Sequence, residues 1–152
     1  MNQESGRSLM EIIGIMAIGA IMTAGSVATY NMIRNNQVRT IASADLTTLV
    51  RDIRLLFGAR GDYNGLNIDY LIKAGALKSD KSPIGGDWSV WPSVDGKRFE
   101  ITLTDLSMGE CDYFISASPT WAAEVRINGA VADNTADSCF STHTNKIVFI
   151  VE

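Results

Sequence analysis

The sequence predicts an α+β protein: one long N-terminal α-helix packed on an antiparallel β-sheet domain. Three observations predict it. No proline occurs before Pro83, so nothing interrupts helix over the first half of the chain. Apolar residues recur every three or four positions up to Phe57, and from about Trp88 onward they alternate. The turn dipeptides Asp95-Gly96 and Asn128-Gly129 punctuate the alternating half. The 152 residues suffice for one globular domain of ordinary size. The net charge of −4, without a basic stripe, argues against a dedicated nucleic-acid binder.

The first element begins as lipid-compatible helix. Ile12 to Ile33 holds 22 residues and no charge, which is about 33 Å of helix against a bilayer core of about 30 Å. A secretory signal peptide has a shorter apolar region, and the helical pattern here continues beyond it. Past Tyr30 the pattern becomes amphipathic. Val38, Ile41, Ala42, Leu46, Leu49, Val50, Ile53, Leu56 and Phe57 form the apolar set, and Gly58 supplies the stop. One helix is therefore expected from about Ser8 to Phe57. Ala20, Ala24 and Ala28 lie at four-residue spacing with Gly14, Ala17, Gly19 and Gly25 nearby, the pattern that lets helix backbones approach in a membrane. Glu11 stands at the lip of this run. A carboxylate there needs a positive partner: Arg7, four residues earlier on the same helix, or a charge from another chain, such as a newly freed N-terminus.

The remaining elements are shorter. Gly58–Gly65 is turn-rich and contains Arg60-Gly61-Asp62, a tripeptide that some animal adhesion receptors bind and that a tight turn also requires. Leu66, Tyr70, Leu71 and Ala74 fit a short helix ended by Gly75. Trp88 and Val90, then Phe99, Ile101 and Leu103, alternate around Asp95-Gly96 as a two-residue hairpin. Trp88 and Trp91 suit core or subunit packing better than a ligand shelf. Ser107 and Glu110 make a capping box for a helix carrying Cys111, Phe114, Ile115 and Ser118 on one face, closed by Pro119. "WAAEVRI", the Asn128-Gly129 turn and "KIVFIVE" complete the strands. Cys111 and Cys139 are either one disulfide or two separate thiols, depending on compartment. No catalytic constellation, phosphate-binding glycine loop or strong metal pattern appears. Asp137, Cys139 and the single histidine, His143, match no ligand spacing, and an enzyme is not expected.

The N-terminal residues resemble those of the type IV pilin and pseudopilin family. Its mark is a polar leader ending in Gly, then a hydrophobic helix with Glu fifth after the cut. Here "MNQESG" would be the leader, "RSLMEIIGIMAIG" the mature start, and Glu11 the fifth residue. "GDYNGLNIDYLIKAGAL", "SPIGGDW", "GECDYFIS" and "EVRINGAV" resemble the type IVb branch of thin conjugative, toxin-coregulated and bundle-forming pili. The resemblance implies the pilin fold, with residues 1–6 as leader, 7–33 as the transmembrane and polymerisation half of the helix, 34–57 as its amphipathic half, and 58–152 as the head. It implies cleavage between Gly6 and Arg7 by a prepilin peptidase, N-methylation of the new terminus, and pairing of Glu11 with the freed amine of a neighbouring subunit. It also implies a Cys111–Cys139 disulfide bracketing an exposed segment, with an acidic surface from Asp133 and Asp137. The implied function is a structural subunit that polymerises into a type IV pilus for adhesion, aggregation, motility or conjugation. Its partners would be copies of itself, the peptidase and an inner-membrane assembly machinery. It would reside in the inner membrane and then in an extracellular filament, with no metal and no cofactor. The alternatives are a pseudopilin of a type II secretion system, a minor pilin, or an uncut single-span membrane protein with a sensing domain.

Overall fold

The computed structural model describes residues 3–132 and 138–152, with side chains from residue 8 onward. Helix α1 runs unbroken from Gln3 to Phe57. The chain divides into two compact units, Met1–Gln37 and Val38–Glu152. In the first unit α1 is the sole element, and every described side chain on it is exposed.

In the second unit α1 buries Ala42, Leu46, Leu49, Val50, Ile53 and Phe57. These fall on one stripe at 100° per residue. Ile41 was expected on that face and is 53% exposed, because its position turns it off the stripe. Leu56, at the stripe's margin, is 38% exposed. The helix ends at Gly58, whose N–H still donates to the Arg54 carbonyl at 2.8 Å. A Cβ on Gly58 would stand 2.4 Å from that same oxygen, so the stop rests on close approach. Helix α2 (Ile68–Lys73) is capped by Asn67, whose side chain accepts from Tyr70 N–H at 2.8 Å, and is followed by Gly75 at φ +80.

Five antiparallel strands form one sheet: β1 (Trp88–Pro92), β2 (Phe99–Leu106), β3 (Glu124–Ile127), β4 (Ala130–Val131) and β5 (Asn145–Val151). Their order is β1-β2-β5-β3-β4, so the last strand is the central one. That position explains the near-continuous apolar run from Ile147 to Val151. Two register rows line the core: Val90, Ile101, Phe149 and Val125, then Trp88, Leu103, Ile147 and Ile127. Helix α3 (Met108–Ser116) adds Cys111, Phe114 and Ile115, and the Phe114 and Trp121 rings lie 5.7 and 5.3 Å from Phe149. Pro92 ends an edge strand, where its missing N–H removes no ladder bond. β4, at the other edge, is only two residues long.

Two local expectations are corrected. Asp95-Gly96 does not form a two-residue hairpin. The loop spans Ser93 to Arg98, closed by Ser93 N–H to the Arg98 carbonyl at 2.8 Å. Within it Gly96 N–H donates to the Ser93 carbonyl at 2.9 Å, and the Ser93 hydroxyl bonds Asp95. That hydroxyl and the Lys97 N–H at 3.1 Å hold the exposed Asp95 carboxyl below its ordinary range. Likewise "WAAEVRI" is strand only from Glu124. Pro119 opens a turn in which its carbonyl accepts from Ala122 N–H at 3.2 Å, and Trp121 reaches the Thr47 hydroxyl at 3.2 Å.

Gly86, in the turn before β1, makes the tightest approach of any described glycine to another residue's backbone. Its φ is +69, and a Cβ there would stand 2.0 Å from the Thr104 carbonyl oxygen, next to Asp105, itself at φ 57. Gly86→Ala is expected to destabilise the protein by about 2–4 kcal/mol, through positive φ and overpacking together. The midpoint of urea unfolding measures it.

An exposed apolar helix and a disulfide-tied head

Helix α1 presents an unusual surface. Between Leu9 and Ile33 its large apolar side chains, among them Met10, Ile15, Ile21 and Met32, are each at least 50% exposed. The helix is long and apolar enough to cross a membrane, with a mean hydropathy of 1.9 in its most apolar stretch. Its hydroxyls are satisfied internally: Thr23, Ser26 and Thr29 donate to the carbonyls of Gly19, Met22 and Gly25 at 2.7–2.9 Å. These three hydroxyls therefore need no water. A Cβ on Gly14, Gly19 or Gly25 would meet nothing within 4 Å, so packing inside this chain does not require those glycines. Glu11 sits on the exposed surface of the same helix. Gly6 and Arg7 lie within the helical span, but their side chains are outside the described residues, and so is any Arg7–Glu11 contact.

The head is tied by its second half. Ser107 caps α3 reciprocally: Glu110 Oε2 accepts from the Ser107 N–H at 2.7 Å and its hydroxyl at 2.8 Å, and Glu110 N–H donates to Ser107 Oγ at 3.3 Å. This cap sets the start of the helix and turns Cys111 inward, where it is bonded to Cys139. Cys139 is therefore no metal ligand. Asp133 and Asp137 lie outside the described residues. Among the described residues no group of three or more His, Cys, Asp and Glu could hold a metal. Arg60 packs on the Phe57 ring at 5.6 Å and lies 3.8 Å from Asp62, whose carboxylate also accepts from Asn64 N–H. The Arg60-Gly61-Asp62 tripeptide thus shapes its own turn.

Sequence reasoning missed Asn145. It is fully buried at the start of β5. Its carbonyl oxygen accepts from Phe140 N–H at 2.7 Å and Asn128 Nδ2 at 3.0 Å. Its amide donates toward the carbonyls of Leu106, Phe140 and Thr142 at 3.0–3.1 Å. One side chain thus joins the end of β2, the β3–β4 turn and the chain around Cys139. Asn128, at φ 50, completes the join by donating to the Ser138 carbonyl at 2.8 Å and accepting from Lys146 N–H. The only sequence signal was a polar residue opening a strongly apolar strand.

A five-stranded antiparallel sheet beside a continuous N-terminal helix, with a late disulfide, is the type IV pilin fold. Solved structures that share it include TcpA, a type IV pilin from Vibrio cholerae El Tor biotype, and a type IVb pilin from Salmonella typhi. The first matches with a TM-score of 0.61 at 16% identity, over 76% of this chain and 99% of that one. The second matches with 0.54 at 22% identity, over 70% and 94%. In sequence the chain is similar to the major structural subunit of the bundle-forming pilus from Escherichia coli O127:H6, 26% identical over 119 residues and 71% of this chain. The same subunit from Escherichia coli O111:H- matches equally. The chain spans 62% of the length of these relatives. No family model matches.

Removing either of the head's two ties should be measurable. Cys139→Ser opens a loop of 28-residue separation, which is expected to cost about 3–4 kcal/mol of stability, read as a lower urea midpoint. Asn145→Ala leaves the buried Leu106 carbonyl, and the part-buried Phe140 N–H and carbonyl, without their side-chain partner. With the disulfide intact, it is expected to cost about 2–4 kcal/mol in the same measurement.

Proposed function

We propose that this protein is a structural subunit that polymerises through α1 into a type IV pilus filament on the cell surface. The observation that carries this is the exposed, uncharged apolar surface of α1 from Ile12 to Ile33 in a chain of pilin fold. Such a surface needs lipid before assembly and neighbouring helices afterwards. Residues 1–6 are the leader, removed between Gly6 and Arg7 by a prepilin peptidase. The inner membrane holds the subunit until an assembly machinery extracts it, and the filament is extracellular. The sequence likeness to bundle-forming pilus major subunits supports this over a pseudopilin or a minor pilin.

In this role Glu11 pairs with the N-terminal amine that cleavage frees on a neighbouring subunit. Each charge alone is costly in a low-dielectric setting, and together they attract strongly. The pair therefore sets register more than it adds stability.

The test combines processing and assembly. Mass spectrometry of the membrane-extracted chain should show loss of residues 1–6. Glu11→Ala should leave subunit level and processing unchanged while reducing sheared filaments at least tenfold. An intact Met1, or wild-type filament yield from Glu11→Ala, would overturn the assignment.

A further inference from the structure

Among the described residues Arg39 has no ion-pair partner. Its Nε is buried and no hydrogen-bond acceptor reaches it. Among the described residues the ion pairs are Arg51–Asp52, Arg60–Asp62, Lys81–Asp87 and Arg126–Glu124, and Arg39 takes part in none. Its guanidinium instead rests on the bare Cα of Gly109: a Cβ there would stand 2.6 Å from Arg39 Nη2. The first turn of α3 offers that guanidinium donors and no acceptors. The carboxylate of the turn, Glu110, is already engaged by the Ser107 N–H and hydroxyl.

A desolvated, charged donor is matched best by a charged acceptor, and a guanidinium fits a carboxylate in bidentate geometry. We infer that Arg39 is an interface residue that receives a carboxylate from a second copy of this chain. With 17 acidic against 13 basic residues, each copy carries carboxylates in excess of its own cations. Met108, beside Gly109, is 44% exposed and gives the contact an apolar rim, which suits a protein surface better than a free anion. Arg39 lies on α1 six residues past the uncharged run, so an ion pair here adds direction where the apolar segment supplies none. The inference rests on the self-assembly proposed above and adds a second polar contact, in the globular unit.

The experiment uses the full-length chain in cells that assemble it, and the same chain purified in detergent micelles. Arg39→Met keeps the length of the side chain and removes the orphan donor. Gly109→Ala pushes the guanidinium aside while touching only the flexible end of Arg39. Both variants are expected to accumulate as oxidised subunits with a thermal midpoint at or above that of the wild type, while sheared filaments fall at least tenfold. Wild-type filament yield from Arg39→Met would overturn the inference and leave the pilin assignment standing. A midpoint that falls in step with filament yield would also overturn it, by showing that Arg39 stabilises its own chain. A wild-type chain that makes no filaments would overturn both proposals.

Discussion

The constraint on which the structure depends is that the N-terminal half of α1 leaves its described apolar side chains exposed. Thirteen large apolar side chains between Leu9 and Ile33 stand at least half exposed. At about 1.5–3 kcal/mol for each side chain fully buried, their combined transfer out of water is on the order of 20–40 kcal/mol. A domain's whole folding stability is about 5–15 kcal/mol. On the function proposed above, lipid or other apolar helices cover it, and the Thr23, Ser26 and Thr29 hydroxyls are already bonded back to the carbonyls of Gly19, Met22 and Gly25.

The second half of α1 meets the opposite demand. Leu46, Leu49, Val50, Ile53 and Phe57 are core residues, continuous with the inward rows of the sheet. A single helix therefore carries an exposed apolar surface and a core-forming one along one backbone. The head adds its own fastening. β5 is inserted between β2 and β3, so the C-terminal part of the chain supplies the middle of the sheet. The disulfide and the Asn145 hydrogen bonds then hold the Ser138–Thr144 region to that strand and to α3. A covalent tie and a buried polar tie on one loop act through different states: the first restrains the unfolded chain, the second is made only on folding.

How much of this was legible follows from the range of each interaction. The long helix is written in a 3.6-residue period free of proline, and the α3 cap in Ser107 and Glu110 three residues apart. Both are local signals and both appear in the structure. Ile41 shows the resolution of such reading: it is apolar and near the stripe, yet one residue of rotation leaves it in solvent. The Asp95-Gly96 turn was placed correctly and its length misjudged, because Ser93 and Asp95 side chains close a longer loop. What could not be read were contacts between distant residues. Asn145 joins partners 39 positions away, Gly86 is dictated by Thr104, and Gly109 by Arg39. None carries a periodic signature, and an isolated Gly or Asn has many local explanations. Gly6 and Arg7 stood out only as a family pattern, whereas Glu11 was marked by its charge at the edge of an uncharged run.

Apolar burial is strong but nearly indifferent to rotation and axial shift, since Ile, Met and Leu on α1 offer equivalent contacts at many offsets. A helix associating through that surface alone would have many near-degenerate registers. The small residues Ala20, Ala24 and Ala28 reduce the choice of face, and Gly14, Gly19 and Gly25 admit close backbones, but neither selects a step along the axis. Point charges do. A charge left unpaired in a dry interface is costly, so misaligned arrangements are penalised even where the aligned one gains little net stability. On the assembly proposed here, Glu11 at one end of the apolar run and Arg39 beyond the other are the residues whose removal would loosen register first, while the apolar surface between them supplies most of the association.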